Sequence, residues 1–334
     1  MMDVGSLILF AILASIVYWL YNERNSGGKI ISGQKRSSVA SFSVTETRTD
    51  QTRLQENVEQ RVQPVEKHAE VIWDHYSTID DVTEAMRKAG LEQCNLVFGI
   101  DFTASNVHQG LKTFRGRSLH YLDKDLQNPY QEVISILGEM LEPFDDDGLI
   151  PAYGFGDKST TDRAVFSLTN EGQCKGFHGV LEAYNEKLPN VVLSGPTSFA
   201  PLIHKAIQLV QVKREYHILV IVADGQETDQ ATREAIVEAS NWPLSIILIG
   251  VGDGPWDTME EFDDSLPTRK FDNFQFVDYH EVITNVQNLR TAFALTALME
   301  IPDQYNKIKQ LGLLSAGIQP SGIPSSQQTL LEMV

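Results

Sequence analysis

Oxygen-bearing side chains recur at alternate positions directly after an apolar run near residue 100. Residues 95–100 (NLVFGI) have the composition of a buried strand, and Asp101, Thr103 and Ser105 follow it. In open α/β sheets, the loops at the carboxyl ends of the strands form the binding sites. One carboxylate and two hydroxyls suit a small hard cation such as Mg²⁺. The competing interpretation is a capping turn, because Asp, Thr and Ser are also common helix N-caps.

Two later segments present the same kinds of side chain after β-rich runs. Residues 193–201 (LSGPTSFAP) contain a Gly-Pro turn between a predicted strand and a predicted helix, and they present a threonine. Residues 217–226 (HILVIVADGQ) begin with a predicted strand, apolar from Ile218 to Ala223, that leads into an aspartate. Because the ends of parallel strands meet at one edge of a sheet, we expect these oxygens to lie close together. The predicted metal ligands are Asp101, Thr103, Ser105, Thr197 and Asp224.

The chemistry expected of this site is binding. Mg²⁺ or Mn²⁺ fits the donor set, and Ca²⁺ is compatible with it. Only two of the predicted ligands, Asp101 and Asp224, carry charge, and they bind the ion directly or through water. Such a cation stays electrophilic, so a carboxylate from outside can complete its shell. We therefore predict a protein partner with an exposed Asp or Glu.

The elements that must position these residues alternate between strand and helix patterns. Apolar β-rich runs after residue 95 cover Leu149–Phe155, Val191–Leu193, His217–Ala223, Leu244–Val251 and Phe274–Val277, with a short edge strand at Ala164–Ser167. Helical patterns cover Pro129–Leu141, Gly176–Leu188, Phe199–Val212, Gln230–Ala239 and Val282–Leu298. This alternation predicts an α/β fold, doubly wound, with a mostly parallel central sheet and helices on both faces.

The amino-terminal part has a different character. Residues 4–21 contain no charge and approach the ~20 residues that cross a bilayer, while Arg24, Lys29, Lys35 and Arg36 follow them. The positive-inside rule then predicts a single-pass membrane protein whose folded domain faces the cytoplasm. A signal peptide and a buried or interfacial helix are the alternatives. The predicted organisation is a transmembrane anchor (4–21), a flexible linker (22–69), the folded domain (70–305) and a partly disordered tail (306–334).

Charge and cysteine content exclude several function classes. A formal net charge of -18 argues against a nucleic-acid surface, which needs clustered Lys and Arg. The chain has two cysteines and its eight histidines are scattered, so a zinc centre is not expected. The segment GVGDGP matches neither common phosphate-loop motif, and we predict no nucleotide site. We predict no enzymatic activity.

Other patterns have ordinary structural interpretations. The acidic run at 145–147 lacks the ligand spacing of a calcium loop, so we predict a solvated turn. Phe155 and Asp157 could shape the rim of the metal site, but core packing and turn capping, respectively, are the favoured interpretations.

The order of these motifs resembles a known family. DxTxS, then a threonine loop, then a strand ending in Asp-Gly is similar to the metal-ion-dependent adhesion site of von Willebrand factor A domains, although Thr103 stands where that pattern usually has serine. The segments GIDFTASN, NPYQEVI, LIPAYGFGD, SGPTSFAP and ADGQ resemble copine-type A domains, and most of all those of plant-type RING ubiquitin ligases. The resemblance covers about residues 71–305. It implies the A-domain fold and metal binding at each of the five predicted ligands.

The sequence also departs from both branches of that resemblance. Copines carry paired calcium-dependent lipid-binding domains, which the residues before the A domain here do not match. A RING needs eight Cys or His ligands, whereas no cysteine follows Cys174. We therefore predict a membrane-tethered, metal-dependent protein-binding module. A RING-less adaptor or regulator in ubiquitination is the alternative, and an inert scaffold is a third hypothesis.

Overall fold

The structure is a computed structural model that describes residues 78–225, 230–264, 266, 269–284 and 288–314. Its centre is a 6-stranded sheet in the order β4-β3-β1-β6-β7-β8. Five of these strands run parallel, and β4 pairs antiparallel with β3 at one edge. A separate ladder joins β2 to β5. The strands are β1 (Asn95–Asp101), β2 (Leu149–Ile150), β3 (Ala152–Phe155), β4 (Phe166–Ser167), β5 (Cys174–Lys175), β6 (His217–Ala223), β7 (Leu244–Gly250) and β8 (Phe274–Asp278).

Helices connect the strands and cover the sheet. They are α1 (Ile79–Lys88), α2 (Pro129–Leu141), α3 (Gly176–Lys187), α4 (Ala200–Lys213), α5 (Gln230–Ala239), α6 (Asp257–Asp264), α7 (Tyr279–Ile283), α8 (Leu289–Leu298) and α9 (Ile301–Gln310). Local sequence accounts for several of their ends. Thr78 and Asp81 form a capping box at the start of α1, and Asn128 and Gln131 do the same for α2.

Both faces of the sheet are buried, which explains the continuous apolar runs of its central strands. Leu96 and Phe98 of β1 belong to one core cluster, and Val97 between them belongs to the other. The first cluster includes residues of α2, α3 and α8, and the second includes residues of α4 and α5. The predicted α/β fold with a mostly parallel sheet is confirmed.

Three element predictions need correction. Val191–Leu193 is not a strand of the sheet, since Leu193 makes only an isolated bridge, with Asp157, and the next residue, Ser194, makes another with Thr103. The run Leu149–Phe155 is split into β2 and β3, with Pro151, which has no N–H to donate, between them. The helix predicted over 282–298 is two helices, α7 and α8.

The favoured interpretations of the smaller patterns are confirmed. In the acidic run, Asp146 and Asp147 are exposed, and Asp147 Oδ1 accepts a hydrogen bond from the Leu149 N–H at 2.9 Å, whereas Asp145 is half-buried. Phe155 is fully buried and packs edge-on against Phe199. Asp157 accepts hydrogen bonds from the Ser159 hydroxyl and the Thr160 N–H.

The prediction of a single-pass membrane protein is contradicted. Across the part of the chain that the structure describes, every helix is too short or too polar to span a bilayer. The longest, Ala200–Lys213, has 14 residues, whereas a transmembrane helix needs about 20. Residues 4–21, on which the prediction was based, lie outside the described residues, as does the predicted linker.

Candidate functional site

The two predicted carboxylate ligands lie at the carboxyl ends of adjacent strands. Strands β1 and β6 pair in parallel, with Ile100 opposite Val222. Asp101 is the last residue of β1, and Asp224 directly follows β6. In the sheet, β3 lies on one side of β1 and β6 lies on its other side, so the strand order changes direction at β1. The two aspartates therefore lie at a topological switch point of the sheet, where open α/β folds bind their ligands.

Four of the five predicted ligands form one hydrogen-bonded cluster. The Thr103 N–H donates to Asp101 Oδ1 at 2.8 Å, and the Asp224 N–H lies 3.5 Å from Asp101 Oδ2. The hydroxyls of Thr103 and Ser105 are 2.9 Å apart. The Ser105 hydroxyl donates to Asp224 Oδ1 at 3.0 Å. Side chains that are 119 residues apart in the chain thus share one set of contacts.

The fifth predicted ligand, Thr197, lies on a loop. This loop forms part of the wall of a depression that Thr103, Ser105 and Asp224 also line. The depression has a volume of about 840 Å³. Its walls come from the ends of β1 and β6, the loop that precedes α4, and the turn after β7. The lining residues are Thr103, Ser105, Gln109, Ser194, Gly195, Pro196, Thr197, Asp224, Gly225, Gly254, Pro255, Asp257 and Thr258.

The charge of Asp101 disfavours the ionisation of Asp224. Burial, and then the charge of Asp101, raise the pKa of Asp224 to about 9. Burial also raises the pKa of Asp101, against the hydrogen bonds that it accepts from Thr103. Two buried carboxylates in contact need either a proton or a cation to balance them.

The donor set fits a hard divalent cation. It comprises carboxylate and hydroxyl oxygens only, which are the ligands that Mg²⁺ and Mn²⁺ prefer. Asp224 Oδ2 is buried and has no hydrogen-bond partner among the described residues. A buried carboxylate oxygen without a donor is costly, and a cation would satisfy it.

A buried layer beneath the cluster holds its backbone in place. The Asn106 side chain donates to the Thr103 carbonyl at 3.1 Å, and the Tyr130 hydroxyl donates to Asn106 Oδ1 at 2.6 Å. Asn106 and Tyr130 are both fully buried. Sequence reasoning missed both of them. Both lie in segments that carry the family resemblance, GIDFTASN and NPYQEVI, but neither residue was assigned a role from the sequence.

His120 belongs to the same buried layer as Tyr130 and contacts the last residue of β1. Its Nε2 lies 2.8 Å from the Asp101 carbonyl, which can only accept, so Nε2 carries the proton. Its Nδ1 then accepts from the Tyr184 hydroxyl at 2.8 Å. The ring stacks between Phe102 and Tyr130, with centroids 5.1 Å and 4.2 Å away. Burial lowers the pKa of His120 to about 3, so this ring is neutral at pH 7.

Gly156 leaves the space that Thr103 occupies. A Cβ atom at residue 156 would lie 2.3 Å from Thr103 Cγ2, far inside van der Waals contact. Gly156 also has φ +78, a conformation that glycine adopts without strain. The segment YGFGD thus shapes the site through its second glycine, which sequence reasoning did not single out.

A second group of carboxylates lies outside the predicted site. Ligand atoms of Asp263, Asp272 and Glu300 all lie within 4.8 Å of one another. Arg269 forms an ion pair with Asp272 at 2.9 Å, and Gln304 donates to Glu300 at 3.1 Å. These partners make it a buried polar network that links the end of α6 to α9.

Comparison with known proteins identifies the family. The family model described as Copine matches residues 118–317. Copine family protein 2 of Caenorhabditis elegans is 55% identical over 245 residues, which are 72% of this chain and 3% of that protein. Two Arabidopsis thaliana proteins are each 50% identical. E3 ubiquitin-protein ligase RGLG1 is matched over 76% of this chain and 55% of its own length, and RGLG3 over 70% and 68%.

Similarity to solved structures is weaker. Manganese-loaded TRAP protein of Plasmodium vivax has a TM-score of 0.39 and 12% identity, over 60% of this chain and 74% of that chain. At this level the likeness carries no argument about metal binding. This chain spans only part of its relatives, 3% of Copine family protein 2 and 55% of RGLG1. The activity of a whole relative is therefore not assigned to this chain. The sequence similarity alone is decisive, and the chain belongs to the copine family.

Proposed function

We propose that this domain is a metal-ion-dependent protein-binding module. Asp101, Thr103, Ser105, Thr197 and Asp224 hold Mg²⁺ or Mn²⁺, and Ca²⁺ is the alternative ion. The bound cation accepts a carboxylate from an Asp or Glu of a partner protein. The observation that carries the proposal is the cluster of four oxygen side chains at one sheet edge, with the buried Asp224 Oδ2 lacking a donor among the described residues.

Electrostatics give the cation its role in this proposal. The charge of Asp101 disfavours the ionisation of Asp224, so a divalent ion replaces the proton that otherwise balances the pair. The lining of the depression contains no Cys, His or Lys in the described part of the chain. With no nucleophile of that kind and no neutral base at hand, binding is the chemistry that the depression supports best.

The first step is tested by Asp224→Asn. We expect saturable Mg²⁺ or Mn²⁺ binding to wild type by calorimetry and a loss of at least ~10–100-fold in affinity in the variant. At 100 times Kd the cation should stabilise wild type by about 2.7 kcal/mol. In EDTA the variant should be at least as stable as wild type, because its carboxamide needs no proton beside Asp101.

Asp147→Asn is the matched control, since it removes a carboxylate in the turn before β2, away from the site. It should bind the cation as wild type does. Heat signals without saturation in wild type would instead favour an inert scaffold, whose oxygens only stabilise loops. For the second step, partner proteins should be captured by wild type in Mg²⁺ and lost with EDTA or in Asp224→Asn.

A second candidate function rests on the relatives named as E3 ubiquitin-protein ligases, at 50% identity. On this proposal the copine domain acts as an adaptor or regulator in ubiquitination. An assay with purified ubiquitin-transfer components would test it. If the domain neither supports nor inhibits chain formation, this second function is rejected.

A further inference from the structure

One segment beside the site has a charge opposite to that of the protein. The whole chain contains 45 Asp and Glu against 27 Lys and Arg, yet residues 102–122 contain no acidic residue. The same segment contains Lys112, Arg115 and Arg117. Lys112 and Arg115 are exposed, and Arg117 lies over the Tyr121 ring at 5.0 Å. The surface of this segment is therefore locally basic.

The same segment exposes an unusual amount of apolar surface. The exposed fractions are 45% for Val107 and 66% for Leu111. With Tyr121 and Leu122, the segment supplies half of the large apolar side chains that are exposed in the described part of the chain. Exposed apolar groups that cluster next to a binding site indicate an interaction surface.

Asp253 fixes this segment to the edge of the depression. Its carboxylate accepts from the Lys112 N–H at 2.9 Å, the Thr113 N–H at 2.9 Å and the Thr113 hydroxyl at 2.7 Å. The neighbouring Gly254 and Pro255 line the depression, as does Gln109. The exposed basic and apolar side chains therefore border the predicted metal site. We call Val107, Leu111, Lys112 and Arg115 the basic rim.

We infer that the basic rim binds an acidic, amphipathic peptide segment of the partner protein whose Asp or Glu reaches the metal. This inference rests on the proposed function and specifies its partner. An apolar side chain of the peptide covers Leu111 and Val107, while further acidic residues face Lys112 and Arg115. Salt screens surface charges beyond about 8 Å at physiological ionic strength. The attraction of the peptide therefore depends on the local charge of the basic rim and not on the net charge of the protein.

A protein segment fits this surface better than an anionic membrane. The rim offers one short basic cluster, and stable membrane binding takes more than one such signal. Asp123 and Asp125 directly follow this segment in the chain, and Asp257 lines the depression, so acidic residues limit the positive potential to the area of contact.

The test is selection of random twelve-residue displayed peptides against the full chain in Mg²⁺. Wild type should enrich peptides that contain Asp or Glu, have a negative net charge and include a large apolar residue. Lys112→Glu/Arg115→Glu should lose the preference for flanking acidic residues but keep the requirement for Mg²⁺ and one carboxylate. The control is Lys175→Glu/Lys270→Glu, which changes the net charge by the same amount but lies beside the amino-terminal ends of the strands. It should select the same peptides as wild type.

One enriched peptide is then measured by fluorescence polarisation. The rim double variant should bind about tenfold more weakly, with a weaker dependence on salt. Leu111→Ser should lose affinity for this peptide while its Mg²⁺ affinity stays at the wild-type value. The urea unfolding midpoint of each variant shows whether it is folded.

The possible failures are distinguishable. The selected peptides could depend on Mg²⁺ and contain one carboxylate, yet have otherwise neutral or basic residues. That result would overturn the inference and leave the proposed function standing. Absence of any Mg²⁺-dependent selection would overturn both. Binding of wild type, but not of the rim variant, to phosphatidylserine vesicles without acidic peptide selection would assign the rim to a membrane and reject the peptide partner.

Discussion

Replacing Gly156 by alanine tests whether close packing against Thr103 shapes the candidate site. Gly156 has φ +78 and Gly148 has φ +65, so alanine at either position costs roughly 1–2 kcal/mol of backbone strain. A Cβ at Gly148 meets nothing within 4 Å, whereas one at Gly156 would lie 2.3 Å from Thr103 Cγ2. Overpacking of this kind adds about 1–3 kcal/mol. We therefore expect losses of ~2–5 kcal/mol for Gly156→Ala and ~1–2 kcal/mol for Gly148→Ala.

Urea unfolding in EDTA measures both losses without a contribution from bound metal. Calorimetry with Mg²⁺ then measures the effect on the site. Displacement of Thr103 should weaken metal binding by ~10–100-fold in Gly156→Ala and leave it unchanged in Gly148→Ala. Equal unfolding free energies for the two variants would refute the steric argument. Unchanged metal affinity in Gly156→Ala would show that Thr103 is not a ligand.

Three further predictions concern the groups that support the site. Burial lowers the pKa of His120 to about 3, so protonation of the unfolded chain below pH 6.5 should cost about 2 kcal/mol of stability by pH 5. Carboxyl groups with raised pKa values act in the opposite direction, so the measurement is the difference in pH dependence between wild type and His120→Gln in urea unfolding. Identical profiles would mean that His120 is not buried neutral. Tyr130→Phe removes the donor to Asn106 Oδ1 and should cost about 1–3 kcal/mol of unfolding free energy, and a cost below ~0.5 kcal/mol would contradict this contact. Asp253→Ala should remove the hydrogen-exchange protection of the Thr113 amide, while slow exchange in the variant would show that other contacts hold the loop.

The sequence predicts most of the secondary structure because hydrophobic patterning is a local property. The β-branched apolar runs at 218–223 and 246–250 predict short strands that are buried on both faces, and the structure has β6 and β7 there. A strand prediction was wrong where the local pattern favours a strand but no neighbouring strand pairs with the segment. Residues 191–193 are β-rich, but the neighbouring segments allow them only an isolated bridge. The single-pass membrane prediction is contradicted by the described residues, none of whose helices could span a bilayer, although residues 4–21, on which it was based, lie outside them.

The candidate site shows the same division. The sequence by itself determined which residues could be ligands, because carboxylates and hydroxyls directly after predicted strands are readable along the chain. Only the tertiary structure brought Ser105 to within 3.0 Å of Asp224, and only it placed His120 and Tyr130 beneath the cluster. The raised pKa of Asp224 likewise arises from burial and from Asp101, a residue far away in the sequence. These properties depend on distances between side chains that the sheet brings together, and no local pattern encodes such distances.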